Sequence, residues 1–134
     1  MKKAIIISIS ILFSICAMGQ NIVNDSNEGL NSKELKKVQS EIEKVKNNGI
    51  SFSIMVTDNF WPHDDIEEFG QAELKKNSIK RLLVISPQLK KVEVFELRGS
   101  SKINWMNFKN EKLIPNLKKG NTTKAISEFL KTIK

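Results

Sequence analysis

Arg81-Leu82-Leu83-Val84-Ile85-Ser86-Pro87 is the stretch that decides the fold class of this 134-residue chain. Its apolar residues follow one another without the alternation expected of a strand that has one wet face. Such a run is typical of a central strand covered on both faces. Ser86-Pro87 ends the run, and a second strand begins at Val92 after a short turn. Two strands joined by so few residues are predicted to form an antiparallel hairpin.

An alternating stretch lies upstream of this run and predicts another strand. Apolar residues occupy every second position of residues 50–56, and the positions between them are Ser51, Ser53, Met55 and Thr57. Because the two faces differ in polarity, we expect one side of this strand to be covered more deeply than the other.

The segment between these two strands predicts a helix. Asp64 is the expected N-cap, with Glu67 three residues later. Ile66, Phe69 and Leu74 would form the inner face, and Gly70 would allow a close approach to the sheet. Strand, helix and strand together predict a right-handed parallel crossover.

Helices are predicted on both sides of this unit. Asn31 and Glu34 form a capping-box pattern before an apolar stripe that ends at Asn48-Gly49. After residue 102 the helical spacing of Met106, Leu113, Ile114 and Leu117 is interrupted at Pro115, which predicts a break or a new first helical turn near Ile114. A last helix follows Gly120, with an apolar face of Ala125, Ile126, Phe129, Leu130 and Ile133. The order helix, strand, helix, strand, strand, helix, helix indicates an α/β domain, a single mixed sheet of three to four strands between helices.

The first nineteen residues have the pattern of a secretory signal peptide. Lys2 and Lys3 precede an apolar run over residues 4–16, and Ala17 and Gly19 stand at −3 and −1 of a cut before Gln20. We therefore expect an exported chain, periplasmic or secreted, without a transmembrane segment once the leader is removed. A retained signal anchor or a lipid anchor on Cys16 is the alternative. Residues 20–30 are polar and aperiodic and are predicted to form a flexible leader, so the domain is expected to span 31–134.

Charge and reactive groups exclude several classes of function. Residues 20–74 carry five lysines and eleven acidic residues, whereas residues 75–134 carry fifteen basic and four acidic residues. Such a bipolar chain fits an acidic partner, an anionic membrane or self-association, although lysines on solvated helix faces are the simplest reading. The basic residues are dispersed and almost all lysine, so nucleic acid is not expected. With Cys16 in the leader and a single histidine, His63, the mature chain offers neither a thiol nor a catalytic triad.

Two groups of residues are candidates for a binding site. Asp58, Asp64 and Asp65 could hold a hard cation such as Ca2+ through carboxylate oxygens, but their spacing matches no calcium loop, and acidic residues are also expected in a first helical turn. Phe60 and Trp61 lie in a loop after the first predicted strand, where ligands of open α/β sheets gather. If Trp61 is exposed, that loop is a contact surface; if Trp61 is buried, the loop covers the core. Arg98, before Gly99, is a further candidate for binding a partner, and no cofactor is predicted.

Three stretches of the chain resemble the TPM-domain family of thylakoid-lumen and bacterial envelope proteins. They are Ile50-Ser-Phe-Ser-Ile-Met-Val, residues 66–85, and Leu113-Ile114-Pro115-Asn116-Leu117-Lys118-Lys119-Gly120-Asn121. The resemblance implies a sheet between helix layers; some members are acid phosphatases, others bind calcium, and many have no settled activity.

The chain departs from the family pattern at its informative positions. It has Asn77-Ser78 where members have Asn-Gly, Arg98-Gly99-Ser100-Ser101 replaces a Gly-x-Gly segment, and residues 102–110 lack the expected acidic residue. We therefore carry over no phosphatase or metal residue. The expected function is that of a non-enzymatic, exported TPM-like domain that binds a protein. The alternatives are a divergent metal-assisted phosphatase and a small secreted inhibitor or immunity-type protein.

Overall fold

A computed structural model describes residues 21–77, 79–97 and 102–134. The predicted signal peptide lies outside these residues, as does Arg98. The strands are β1 (Ile22–Asp25), β2 (Ser53–Thr57), β3 (Arg81–Ser86) and β4 (Lys91–Glu96). The helices are α1 (Ser32–Lys46), α2 (Ile66–Lys76), α3 (Trp105–Phe108), α4 (Ile114–Lys118) and α5 (Thr122–Ile133), with a π-helical turn at Lys109–Leu113 between α3 and α4.

The four strands form one mixed sheet in the order β1-β2-β3-β4, as the α/β prediction requires. β1, β2 and β3 are parallel, and β4 returns antiparallel to β3, which confirms the predicted hairpin. Leu82, Leu83, Val84 and Ile85 of β3 are fully buried. This burial on both faces is the physical reason for the unbroken apolar run.

The leader prediction for residues 20–30 is wrong where β1 forms. Ile22–Asp25 pairs with β2 from Ile22 opposite Ile54 to Asp25 opposite Thr57. Leu30, at the end of the same segment, is also buried in the core. The sequence signal was absent because an edge strand of four residues is held by backbone hydrogen bonds and buries only one of its side chains.

Helices cover the two faces of the sheet to different extents. One face packs against α1, α4 and α5 and contains most of the core, including Val38, Phe52 and Phe129. On the other face, a smaller cluster joins Phe69 and Leu74 of α2 to residues of β3 and β4. Since α2 lies over β3 and β4, the same face of β1 and β2 is left without a helix.

Helix ends follow the predicted chemistry, with one correction. Asn31 and Glu34 make the reciprocal hydrogen bonds of a capping box at α1. The N-cap of α2 is Asp65, which accepts a hydrogen bond of 2.8 Å from the Glu68 N–H, rather than Asp64. Either aspartate could cap from sequence alone, and the turn that ends the preceding loop decides between them.

The helical backbone continues from Trp105 to Lys118, and a new α-helical turn begins at Ile114, next to Pro115. The π-helical turn ends at Leu113, and Pro115 lies in the first turn of α4. Trp105 packs against Phe129 with ring centroids 5.8 Å apart, whereas Met106, which has helical spacing with Leu113 in the sequence, is 63% exposed. No helix among the described residues combines the length and the apolar character needed to cross a bilayer.

Candidate partner-binding groove

The uncovered part of the sheet is the floor of a groove of about 510 Å³. Val23 and Asp25 of β1 lie beside Met55 and Thr57 of β2 in register, so their side chains share one face. The groove has two further walls, one made by α2 and one by the loop of residues 58–65. Its remaining lining residues are Asn59, Trp61, Pro62, His63, Phe69, Ala72, Glu73 and Lys76.

Helical periodicity builds the α2 wall. Phe69, Ala72, Glu73 and Lys76 recur at spacings of three and four, so they form one stripe along the helix. Apolar side chains thus lie toward the loop, and charged ones toward the far end. The ammonium of Lys76 lies 4.0 Å from the carboxylate of Glu73.

Hydrogen bonds from backbone N–H groups stabilise the loop that forms the second wall. The side-chain carbonyl of Asn59 accepts from the Trp61 N–H at 3.0 Å, and the Phe60 carbonyl accepts from the His63 N–H at 2.8 Å. The peptide bond between Trp61 and Pro62 is cis. The loop holds two neighbouring aromatic side chains, Phe60 and Trp61, that differ in burial.

Phe60 and Trp61 have different surroundings in this loop. Phe60 is only 9% exposed and packs on Phe69 with ring centroids 5.4 Å apart. Trp61 is 81% exposed and lines the groove. Trp61 is therefore exposed rather than buried, and the Phe60 next to it anchors the loop on the core. Arg98 lies outside the described residues.

Asp58 ties together the carboxyl ends of three strands. Its carboxylate accepts hydrogen bonds from the Ser26 hydroxyl, from the Ser86 hydroxyl at 2.7 Å and from the Gln88 N–H at 3.0 Å. Burial alone would raise the pKa of Asp58, but these three donors favour the charged form and hold the pKa below its ordinary value. The carboxylate is therefore ionised at neutral pH and serves as an acceptor between β1, β2 and β3.

The three predicted metal-binding carboxylates have separate surroundings. Asp58 joins strand ends, Asp65 caps α2, and Asp64 is exposed. Within the described ranges, no three or more His, Cys, Asp or Glu side chains are grouped so that they could hold a metal ion.

Replacing Asp58 by Asn should lower the free energy of unfolding by about 1–3 kcal/mol at pH 7, since hydrogen bonds to a charged group are lost. The low folded-state pKa adds a pH signature. The stabilisation is complete above the ordinary value of 3.8 and disappears as the pH falls through the lower folded-state pKa. Urea unfolding of both proteins between neutral pH and about pH 3 should therefore show their difference shrinking on acidification.

The exposed Asp64 supplies the control for this measurement. Asp64→Asn should change stability by less than about 0.5 kcal/mol, as is usual for surface substitutions. A gap between wild type and Asp58→Asn that stayed constant down to the lowest pH would contradict the assigned role of the Asp58 carboxylate.

Sequence reasoning missed most of the groove, although one signal pointed to it. The polar positions that alternate along β2 indicated a less covered face, and Met55 and Thr57 lie on that face. Val23 and Asp25 were assigned to the leader, so the floor formed by two strands was not foreseen. Ala72, Glu73 and Lys76 carry no signal, because a solvated helix face has the same composition.

A model of a known protein family matches most of the chain. The family model described as the TPM domain matches residues 23–134. The chain belongs to the TPM-domain family. The match begins within β1, in agreement with the correction of the leader.

Two solved structures share the fold of this TPM domain. The N-terminal domain of the cg2496 protein from Corynebacterium glutamicum superposes with a TM-score of 0.69 at 14% identity, covering 86% of this chain and 78% of that one. The N-terminal domain of a P. gingivalis protein gives a TM-score of 0.67 at 13% identity, with coverages of 85% and 79%. At such identities the likeness establishes the fold alone. A comparison with curated protein sequences found no match.

Proposed function

We propose that this TPM domain is a protein-binding module of the cell envelope or the extracellular space, and that its partner binds in the groove beside Trp61. The observation that carries the proposal is the 81% exposure of Trp61 at the end of a groove of about 510 Å³. Tryptophan is among the residue types that contribute most to binding energy at protein interfaces. An exposed indole next to a concave surface supports an anchoring role.

The lining of the groove indicates the chemistry of the partner. Val23, Met55 and Ala72 offer apolar surface. The lining also holds the carboxylates of Asp25 and Glu73 and the ammonium of Lys76, which lies 4.0 Å from Glu73, so one negative charge remains in excess. A partner segment that inserts an apolar side chain and brings a basic residue next to it would match both features. The leader pattern of residues 1–19 supports a partner encountered outside the cytoplasm.

Trp61→Ala tests the proposal directly. Affinity-tagged wild-type and variant proteins, each expressed from the full chain, are used to capture partners from an envelope extract. We expect one specific partner with the wild type, and a loss of affinity of about 2 kcal/mol or more, roughly 30-fold, with the variant. Titration calorimetry with the purified partner would measure this loss.

Met106→Ala is the matched control, because Met106 is also a large exposed apolar residue but lies on α3, outside the groove lining. It should bind as the wild type does. Equal binding by wild type and Trp61→Ala, or the absence of any specific partner, would contradict the proposal. Thermal melts monitored by circular dichroism establish that both variants are folded.

A further inference from the structure

Charge in the folded molecule is divided between the helices that cover one face of the sheet and the rest of the described chain, rather than between the two halves of the sequence. The helical layer, defined as residues 32–46 and 102–134, carries thirteen lysines and five glutamates, a net charge of +8. The other described residues carry ten acidic and six basic side chains, a net charge of −4. The lysines of α1, which belong to the acidic half of the sequence, are thus brought next to those of the C-terminal helices.

The contact between α1 and α5 holds two glutamates of α1, which leaves the outer face of this layer basic. Glu34 of α1 accepts from the Thr123 hydroxyl at 3.1 Å, and Glu41 accepts from the Ser127 hydroxyl at 2.6 Å. Two of the three α1 glutamates are therefore directed sideways into the helix contact.

The lysines of the two helices lie on their outward sides. On each helix the buried apolar stripe faces the sheet, and the opposite side is exposed. The exposed lysines at those outward positions are Lys33, Lys36, Lys37, Lys44, Lys124 and Lys131. Glu43 and Glu128 are the acidic residues that share this surface. We call the six lysines the basic face.

We propose that the basic face lies against an anionic phospholipid bilayer and holds the domain at the membrane surface. The charge of the six lysines and the chemistry of their ammonium groups indicate what binds to the basic face. Dispersed lysine ammonium groups act as point charges and suit a diffuse negative surface, whereas a discrete phosphate or carboxylate site favours the bidentate geometry of arginine. The signal-peptide pattern of residues 1–19 places the chain next to such a membrane during export. In this orientation the groove, on the opposite side of the sheet, faces away from the lipid.

The test measures binding to vesicles of neutral phosphatidylcholine and to vesicles that also contain about 30% phosphatidylglycerol. All proteins are expressed from the full chain and recovered in the same form. Binding to neutral vesicles is subtracted, because an apolar leader that is still attached would bind both kinds of vesicle. We expect binding that depends on the anionic lipid and is largely lost between about 0.05 M and about 0.5 M salt, as screening shortens the electrostatic range.

Two quadruple variants distinguish an effect of the basic face from an effect of the net charge of the protein. Replacing Lys37, Lys44, Lys124 and Lys131 by Gln should weaken the lipid-dependent binding at least tenfold, since each lysine near an anionic surface contributes about 1 kcal/mol. Replacing the exposed Lys75, Lys80, Lys90 and Lys91 by Gln removes the same charge outside the helical layer and outside the groove, and should change binding less than about threefold.

The results distinguish an anionic bilayer from a second copy of the chain as the binding partner of the basic face. Absence of lipid-dependent binding, or an equal loss in both variants, overturns the proposal. Lysine-dependent self-association without lipid would assign the basic face to the acidic side of a second copy, and would overturn it too. Neither result bears on the groove, whose partner is tested with Trp61→Ala.

Discussion

Phe129→Ala is expected to lower the free energy of unfolding by about 3–5 kcal/mol, the usual cost of removing a large buried ring. Phe129 is fully buried in α5, and its ring centroid lies 6.5 Å from that of Phe52 and 5.8 Å from that of Trp105. Its removal leaves a cavity between the sheet and the C-terminal helices, and the aromatic contacts on two sides are lost together. Urea denaturation followed by circular dichroism measures the effect.

Met106→Ala provides the comparison for this loss. Met106 lies near Trp105 in sequence but is 63% exposed, so its truncation should cost less than about 0.5 kcal/mol. Similar losses for the two variants would show that Phe129 does not form the core contact described here.

Gly70→Ala should destabilise the protein by about 2–3 kcal/mol, although alanine is the better helix former by about 1 kcal/mol. A Cβ placed on Gly70 would lie 2.0 Å from the ring of Phe95 in β4. Phe95 is itself only 5% exposed, within the cluster that joins α2 to the sheet. The ring has little space to move away, so α2 must shift or the cluster must repack.

A double-mutant cycle tests this explanation. Phe95→Leu removes the far end of the ring and should relieve the clash, so Gly70→Ala should cost at least about 1 kcal/mol less in that background. Gln71→Ala, at an exposed position of the same helix, should be close to neutral. If the cost of Gly70→Ala were the same with Phe or Leu at position 95, the steric explanation would be wrong.

The two proposals use opposite sides of one sheet and can fail separately. The groove depends on a face of β1 and β2 that α2 does not cover, and on one exposed indole. The basic face depends on helices that pack on the other side. A domain held by its lysines would present Trp61 away from the lipid, where a protein partner can reach it.

Local sequence patterns predicted the elements in which the burial of the side chains follows a regular pattern. β2, β3 and the apolar stripes of α1 and α5 follow from alternation, an unbroken run and helical spacing, because each element packs a defined face on the core. β1 escaped this reasoning, since its place in the sheet depends on pairing with residues more than thirty positions away. Met106 does not share the buried face of Leu113 despite their helical spacing, because the π-helical turn after Phe108 changes the register of the helix.

The candidate site was predicted only in part. The loop with Phe60 and Trp61 was recognised from its position after a strand, but nothing local says which ring points inward. That choice depends on Phe69 of α2, against which Phe60 packs. Asp58 was considered as a metal ligand, whereas its partners Ser26 and Ser86 come from the ends of β1 and β3 and are invisible in the local sequence.

The sequence by itself determined the α/β class, the hairpin of β3 and β4, the capping box of α1 and the close approach of Gly70 to the sheet. These properties are encoded by neighbouring residues, through periodicity, capping and the space that one residue occupies. The edge strand, the groove and the concentration of lysines in one helical layer were decided only by the tertiary structure. Each of them brings together residues from distant segments, and hydrogen bonding between strands and the packing of helices on a sheet set those distances.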